Sequence, residues 1–360
     1  MRSVLLLVAL ATASVACGED AAHEVAPFND TTWPSDRGFI VQMDNDLFSG
    51  AHRDKDYSWG FAVTFASPTA RLLMTPVDRV RGSLESLFSR GSGDSGAWLS
   101  QSGAAQVGLL AFTPRTLKSR EALPNDRPFA SLLYVSSGHM RVLDEGDRAR
   151  YTNFTVGALG LGAAPELHRQ IHKVVGDEVP YGWNHQISDG GEPTARYVQA
   201  EQWLLGGGRA VSPDMPEMKL TLAGSAGYMT ESSVAFSGRW GRIQTPWWSF
   251  NPELTDYTAA PIAPVSTFGG HGVSELYFFA GGRLKARAYN ALLQGQFRSS
   301  DVRVAGSDLA HTQAEGWLGV ASTISDLRFI YTLRYTSREM TTEPGARGLI
   351  WAGINIEKVF

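Results

Sequence analysis

An alternation of period two, repeated along most of the chain, restricts the fold more than any other feature. In Ser58–Phe65, Trp59, Phe61, Val63 and Phe65 fall on one face, with Ser58, Gly60, Ala62 and Thr64 on the other. Only an extended strand separates successive side chains in this way. Similar segments recur at 39–44, 106–112, 129–136, 153–160, 197–204, 219–227, 234–240, 278–289, 315–322, 328–335 and 349–357, giving about twelve strands. Length alone would suggest two or three domains for 360 residues, but all-β chains often use this much sequence in one. Gly at 38 positions and 11% aromatic residues suit many strands and turns.

The identity of the two faces separates a soluble sandwich from a membrane barrel. Arg283, Lys285 and Arg287 alternate with Leu284, Ala286 and Ala288, and Arg328 and Arg334 lie opposite Phe329, Tyr331, Leu333 and Tyr335. Long charged side chains on one face and rings on the other fit a polar lumen and a lipid-facing girdle. The expected fold is therefore all-β, a transmembrane antiparallel barrel of about twelve strands with a short active-site helix. The last strand alternates up to the terminal Phe360, although Lys358 stands where an apolar residue is usual. Irregular stretches at 72–96, 242–270 and 336–348 read as extracellular loops or turns.

Arg2, the apolar run Val4–Leu10 and the small residues Ala11–Ala16 read as a secretory signal, too short to span a bilayer. Residues 1–16 are thus expected to be removed, leaving 17–360 as one barrel domain in the bacterial outer membrane. Cys17 is the only cysteine, so no disulfide forms within the chain. Its place behind the cleavage site also admits lipidation, although Ser14 stands where Leu is usual. The net charge of −4 comes without a block of like charge, which argues against nucleic acid.

Residues 165–186 form one of the few helix-like segments. Leu167, Ile171 and Val174/Val175 recur at helical spacing, His168 and His172 are four apart, and Gly176 stops the helix. Imidazole suits proton transfer at neutral pH, and Glu178 could orient it. A zinc site from His168, His172 and Glu178 is conceivable, but no His-Glu-x-x-His is present. Asp44-Asn45-Asp46 at the first strand end offers oxygen donors for Ca²⁺, or only a polar turn. A β1–β2 hairpin would bring Ser58 near Asn45 and Asp46, with its side chain at an inward position. Asn125-Asp126-Arg127-Pro128 reads as an anchored turn. Arg115, Lys118 and Arg120 suit either a phosphate or solvent.

Asp44-Asn45-Asp46, Asp56–Gly60, Asn125–Ala130, Gly157–Pro165, His168 to Glu178 and Gly182–Gln186, in this order, resemble the outer-membrane lipid A 3′-O-deacylase family of LpxR-like barrels. The resemblance covers the first half of the mature chain. It implies a Ca²⁺-dependent active site between the barrel wall and a short helix, removing the 3′-linked acyloxyacyl chain of lipid A. By the same resemblance His172 is the general base, and Asn45 and Asp46 belong to the catalytic and calcium-binding cluster. Ser58 occupies a position often held by Thr, Glu178 is a further active-site and metal carboxylate, and Lys118 or Arg120 faces the substrate phosphate. His168 replaces the family's usual Gln. The implied partners are lipopolysaccharide and the outer membrane, with a monomer expected. An outer-membrane phospholipase and a catalytically silent, porin-like barrel are the alternatives.

Overall fold

The structure is a computed structural model and describes residues 37–50, 56–66, 74–89, 98–143, 146–175, 180–206, 216–255, 257, 274–298 and 300–360. Twelve antiparallel strands run β1 (Gly38–Asn45), β2 (Asp56–Ala66), β3 (Trp98–Thr113), β4 (Ala130–Leu143), β5 (Arg148–Leu159), β6 (Glu192–Gly206), β7 (Glu217–Gly227), β8 (Met229–Arg242), β9 (Glu275–Asn290), β10 (Thr312–Ile324), β11 (Leu327–Thr336) and β12 (Leu349–Val359). Each pairs with its neighbours in sequence, and β12 pairs with β1 from Gly38↔Val359 to Asn45↔Ala352, closing the barrel. Closure leaves no unpaired sheet edge, which hydrocarbon would not tolerate. Every strand expected from the alternation is present. The signal segment and Cys17 lie outside the described residues.

The two faces divide by polarity as the alternation requires. Inside, Glu315 accepts from Arg283 at 2.7 Å and from Lys285 and Arg334 at 2.9 Å. Arg328 bonds Glu357 at 2.9 Å, and Arg287 bonds Glu231 at 2.7 Å. Buried charges persist because each has a partner. Outside, Phe61, Phe65, Phe236, Phe278, Leu284, Leu318, Phe329, Tyr335 and Ile350 are exposed.

The described lumen is filled rather than open. Trp247, Trp248 and Leu254, from the β8–β9 connection, pack on Met140, Val142, Ala149, Tyr151 and Ala200. Glu253 of the same segment accepts from Gln202 at 2.7 Å and pairs with Lys219 at 2.8 Å. Towards the other end, Tyr57, Phe112, Tyr134, Tyr257 and Trp351 cluster. A cavity of about 80 Å³ remains, lined by residues that include Gln42, Asp44, Arg328, Arg334 and Glu357. That volume suits a few waters, which argues against the porin-like alternative.

The three stretches read as extracellular loops or turns divide between the two ends of the barrel. Connections after even-numbered strands fall at the end that holds both termini of the barrel, so the described residues of 72–96 and 242–270 belong there. Only 336–348 shares the opposite end with Asn45, Asp56 and Thr113. The stretch 72–96 also contains a helix, α1 (Thr75–Phe88). Pro76 in its first turn, with Val77, Val80, Leu84 and Leu87 at helical spacing, was the signal. Flanking Gly and Ser residues obscured it.

Candidate active site

The β1–β2 hairpin pairs Met43 with Phe61 and Asp44 with Gly60. On the other side of β2, Tyr57 pairs with Phe112 but Trp59 pairs with Ala111, so Ser58 is a bulge residue. A bulge shifts the alternation by one residue. Tyr57 accordingly enters the lumen, its ring 5.2 Å from Phe112 and 4.6 Å from Tyr257. Ser58 turns to the outer face, correcting the inward position expected from strict alternation. Its hydroxyl lies 2.6 Å from that of Thr113. Asn45 Nδ2 donates to the Ser58 carbonyl at 2.6 Å, and Asn45 Oδ1 accepts from the Leu47 amide at 2.6 Å. Asp46, buried, heads the short 3-10 turn Leu47–Ser49. Asn45, Ser58 and Thr113 therefore meet at one point of the wall, with Asp46 next along the chain. Sequence reasoning did not single out Thr113, because only the β2–β3 register places it beside Ser58.

Above this point sits α2 (Ala163–Val175). Gly160 makes the corner that leads into it, at φ +68°, where a Cβ would strike the Ser188 carbonyl. Of the residues at apolar helical spacing, Leu167 is 42% exposed. The inward edge carries Ala164 and His168, both buried. Ala164 packs with Trp59, Ala111, Leu117, Phe129 and Trp183 on the outer face of the barrel. His168 Nδ1 accepts from Trp183 Nε1 at 3.2 Å, the rings meeting edge to face at 5.8 Å. His172 occupies the α2 backbone one turn beyond His168. Its side chain, and Glu178 entirely, lie outside the described residues.

The rest of the 182–186 motif forms the seat of α2. A Cβ on Gly182 would come within 2.5 Å of the Phe129 ring, so this approach requires glycine. His185 Nε2 lies 3.2 Å from the Arg120 carbonyl, and Gln186 donates to Asp189 at 2.7 Å. Lys118 and Arg120 are exposed on the β3–β4 loop, with the Arg120 guanidinium 4.8 Å over the Tyr181 ring. Asp126 and Arg127 do anchor this loop, but to distant partners. Asp126 accepts from Arg347 at 2.6 Å and from the Arg115 amide at 3.0 Å. Arg347 also binds Asp56, and Arg127 pairs with Glu339. Burial alone would lower the Arg347 pKa, but the bonds and charge of Asp56, with Asp126, outweigh it and raise it above the usual arginine value.

The donor set bears on the metal. Among the described residues, no three His, Cys, Asp or Glu side chains gather. With Nδ1 accepting from Trp183, neutral His168 carries its proton on Nε2, and neither nitrogen offers a lone pair to zinc. The chemistry around Asp46, Asn45, Ser58 and Thr113 is oxygen only, which suits a hard cation.

A family model described as outer membrane protein LpxR matches residues 4–360. The chain belongs to the LpxR family. It is accordingly a protein of the bacterial outer membrane. The structure of LpxR from Salmonella typhimurium has the same fold, with a TM-score of 0.69 at 14% identity, covering 90% of this chain and 100% of that one. The translocator domain of the autotransporter NalP from Neisseria meningitidis gives 0.38 at 9% identity, covering 91% of this chain and 90% of that one. The β domain of the Bordetella autotransporter BrkA gives 0.38 at 10% identity, covering 90% and 100%. No curated protein matches the chain by sequence.

In this LpxR-family barrel, Trp183→Phe keeps the ring that packs on Phe129 and removes the donor to His168. Loss of one buried hydrogen bond is expected to cost about 1–3 kcal/mol. Amide exchange in α2 should accelerate while the strand amides stay protected.

Proposed function

We propose that this chain is a lipid A 3′-O-deacylase, hydrolysing the ester that links the 3′-acyloxyacyl chain to the sugar. The observation that carries this reading is the outward turn at Ser58, which sets its hydroxyl beside Thr113 and its carbonyl on Asn45 at the outer face of the wall, where Ala164 of α2 packs on Trp59. A substrate whose acyl chains lie in the bilayer reaches this face laterally, without entering the filled lumen. Family membership supports the same substrate class.

In this mechanism His172 removes a proton from water as the water attacks the ester carbonyl, and later returns it to the leaving sugar oxygen. Glu178 orients His172. Asn45 and the Ser58 hydroxyl direct the ester, and the Trp183–His168 pair keeps α2 against the wall. Lys118 or Arg120 meets the phosphate of the glucosamine unit by a charge-assisted hydrogen bond. Asp46, with Glu178, would hold Ca²⁺, which supplies electrostatic stabilisation of the developing oxyanion. The products are a free acyloxyacyl fatty acid and a 3′-hydroxyl.

Mass spectrometry of lipid A from cells with and without the protein tests this reading. The expected result is loss of one acyloxyacyl unit only where the protein is made. Unchanged lipid A with released glycerophospholipid acyl chains would instead establish the phospholipase alternative. Chelation with EGTA should abolish hydrolysis, with Ca²⁺ restoring it and Zn²⁺ failing to. Full activity in EGTA would remove the metal from the proposal.

A further inference from the structure

The outer wall carries a second polar site, far in sequence from the first and outside the proposed chemistry. Ser137, His139 and Arg141 of β4, Arg150 and Thr152 of β5 and Glu201 of β6 alternate with Met140, Tyr151 and Ala200, which face the lumen. These polar residues therefore face outward, on the side that meets lipid. One cross-strand row runs Arg141↔Arg150↔Glu201↔Leu222↔Val234↔Leu284, and its last three members are exposed apolar residues. The charged patch thus borders directly on the lipid-facing belt. Charged side chains left bare there would be destabilising.

Helix α1 covers the patch with its polar edge. Asp78 accepts from Ser137 at 2.9 Å, and Arg81 donates to Glu85 at 2.7 Å and to Thr152 at 2.8 Å. Glu85 lies 3.2 Å from Arg141, and Arg150 donates to Ser89 at 3.1 Å. Arg81 and Glu85 are buried by this docking. Beside this buried edge the helix presents Val80 at 43% and Leu87 at 54% exposure, next to an exposed polar stripe of Arg79, Ser83 and Ser86; Phe88, 60% exposed, ends the docked stripe three residues past Glu85. Phe88 stacks on Tyr197 of the outer wall, 5.6 Å between centroids at 18°. Amphipathic helices of water-soluble domains bury the apolar edge and expose the polar one. Here the buried edge is the polar one, and Val80 and Leu87 stand exposed beside it.

We propose that α1 lies in the outer membrane with Val80, Leu87 and Phe88 against lipid acyl chains, as a helical strap that seals a charged patch on the barrel wall. Two observations select acyl chains as the occupant of this edge. The edge is continuous with the belt through the Phe88–Tyr197 stack, and the patch beneath it is flanked by exposed Leu222, Val234 and Leu284. The strap and the patch need each other, since neither polar surface could face hydrocarbon alone. This inference is independent of the deacylase reading.

The test is spin labelling of the full chain in phosphatidylcholine vesicles, in a Cys17→Ser background that removes the single native cysteine. Labels are placed at Val80→Cys and Leu87→Cys, with Phe278→Cys in the belt and Glu121→Cys on an exposed loop as references. Both test positions are exposed, so folding does not depend on them. Electron paramagnetic resonance then compares accessibility to molecular oxygen and to a water-soluble nickel chelate. The expected result is high oxygen and low nickel accessibility at 80 and 87, as at 278. Nickel accessibility at both positions like that at 121 would overturn the strap.

Discussion

Replacing His172 with alanine is expected to lower lipid A ester hydrolysis by about 10²–10⁴-fold, the usual contribution of a positioned general base. The barrel should still fold, because His172 lies on α2, outside the closed sheet. Release of the 3′-acyl chain from purified lipid A, followed by mass spectrometry, gives the rate. Heat-modifiable mobility on a gel checks the fold in the same preparation. Hydrolysis at the wild-type rate by a folded His172→Ala protein would sink the assigned base. His168→Gln provides a contrasting control. The amide oxygen can still accept from Trp183, so a much smaller loss is expected there.

The second large effect is on stability. Glu339 is 1% exposed in the β11–β12 connection and pairs with both Arg127 and Arg287. Arg287 keeps Glu231 as a second partner, whereas Arg127 otherwise has the Phe112 ring at 4.8 Å. Glu339→Ala therefore leaves a buried guanidinium without its carboxylate, at a cost of about 3–5 kcal/mol. Urea unfolding of the reconstituted barrel should show a lower midpoint with an unchanged slope. Arg127→Met in the same chain should recover part of the loss, since it removes the uncompensated charge. Equal stability of Glu339→Ala and wild type would show that this pair does not lock the site end.

Much of the fold was legible because period two is a local property. Which residues alternate is written in each strand, and Arg283, Lys285 and Arg287 opposite aliphatic residues, with Arg328 and Arg334 opposite rings, fixed which face is polar. The candidate site was legible in part. Asn45, Asp46 and Ser58 were read as neighbours from a hairpin, and the pairing bears that out for Asn45 and Ser58. The same reading misplaced the Ser58 side chain, because a bulge is set by pairing with β3 and leaves no mark in the alternation of β2. The helical spacing of α2 was legible, but not that Ala164 and His168 would form its buried edge while Leu167 stays exposed.

By itself, the sequence determined that twelve strands would close around a charged interior with an apolar exterior, since side-chain alternation and the solvent on each side leave little choice. Tertiary structure alone decided three things. It turned Ser58 outward, it laid α1 polar side down on the wall, and it joined Asp126 and Arg127 to Arg347 and Glu339, more than 200 positions away. Each depends on which strands become neighbours when the barrel closes. Local periodicity carries the polarity of a face but not the identity of what it will meet.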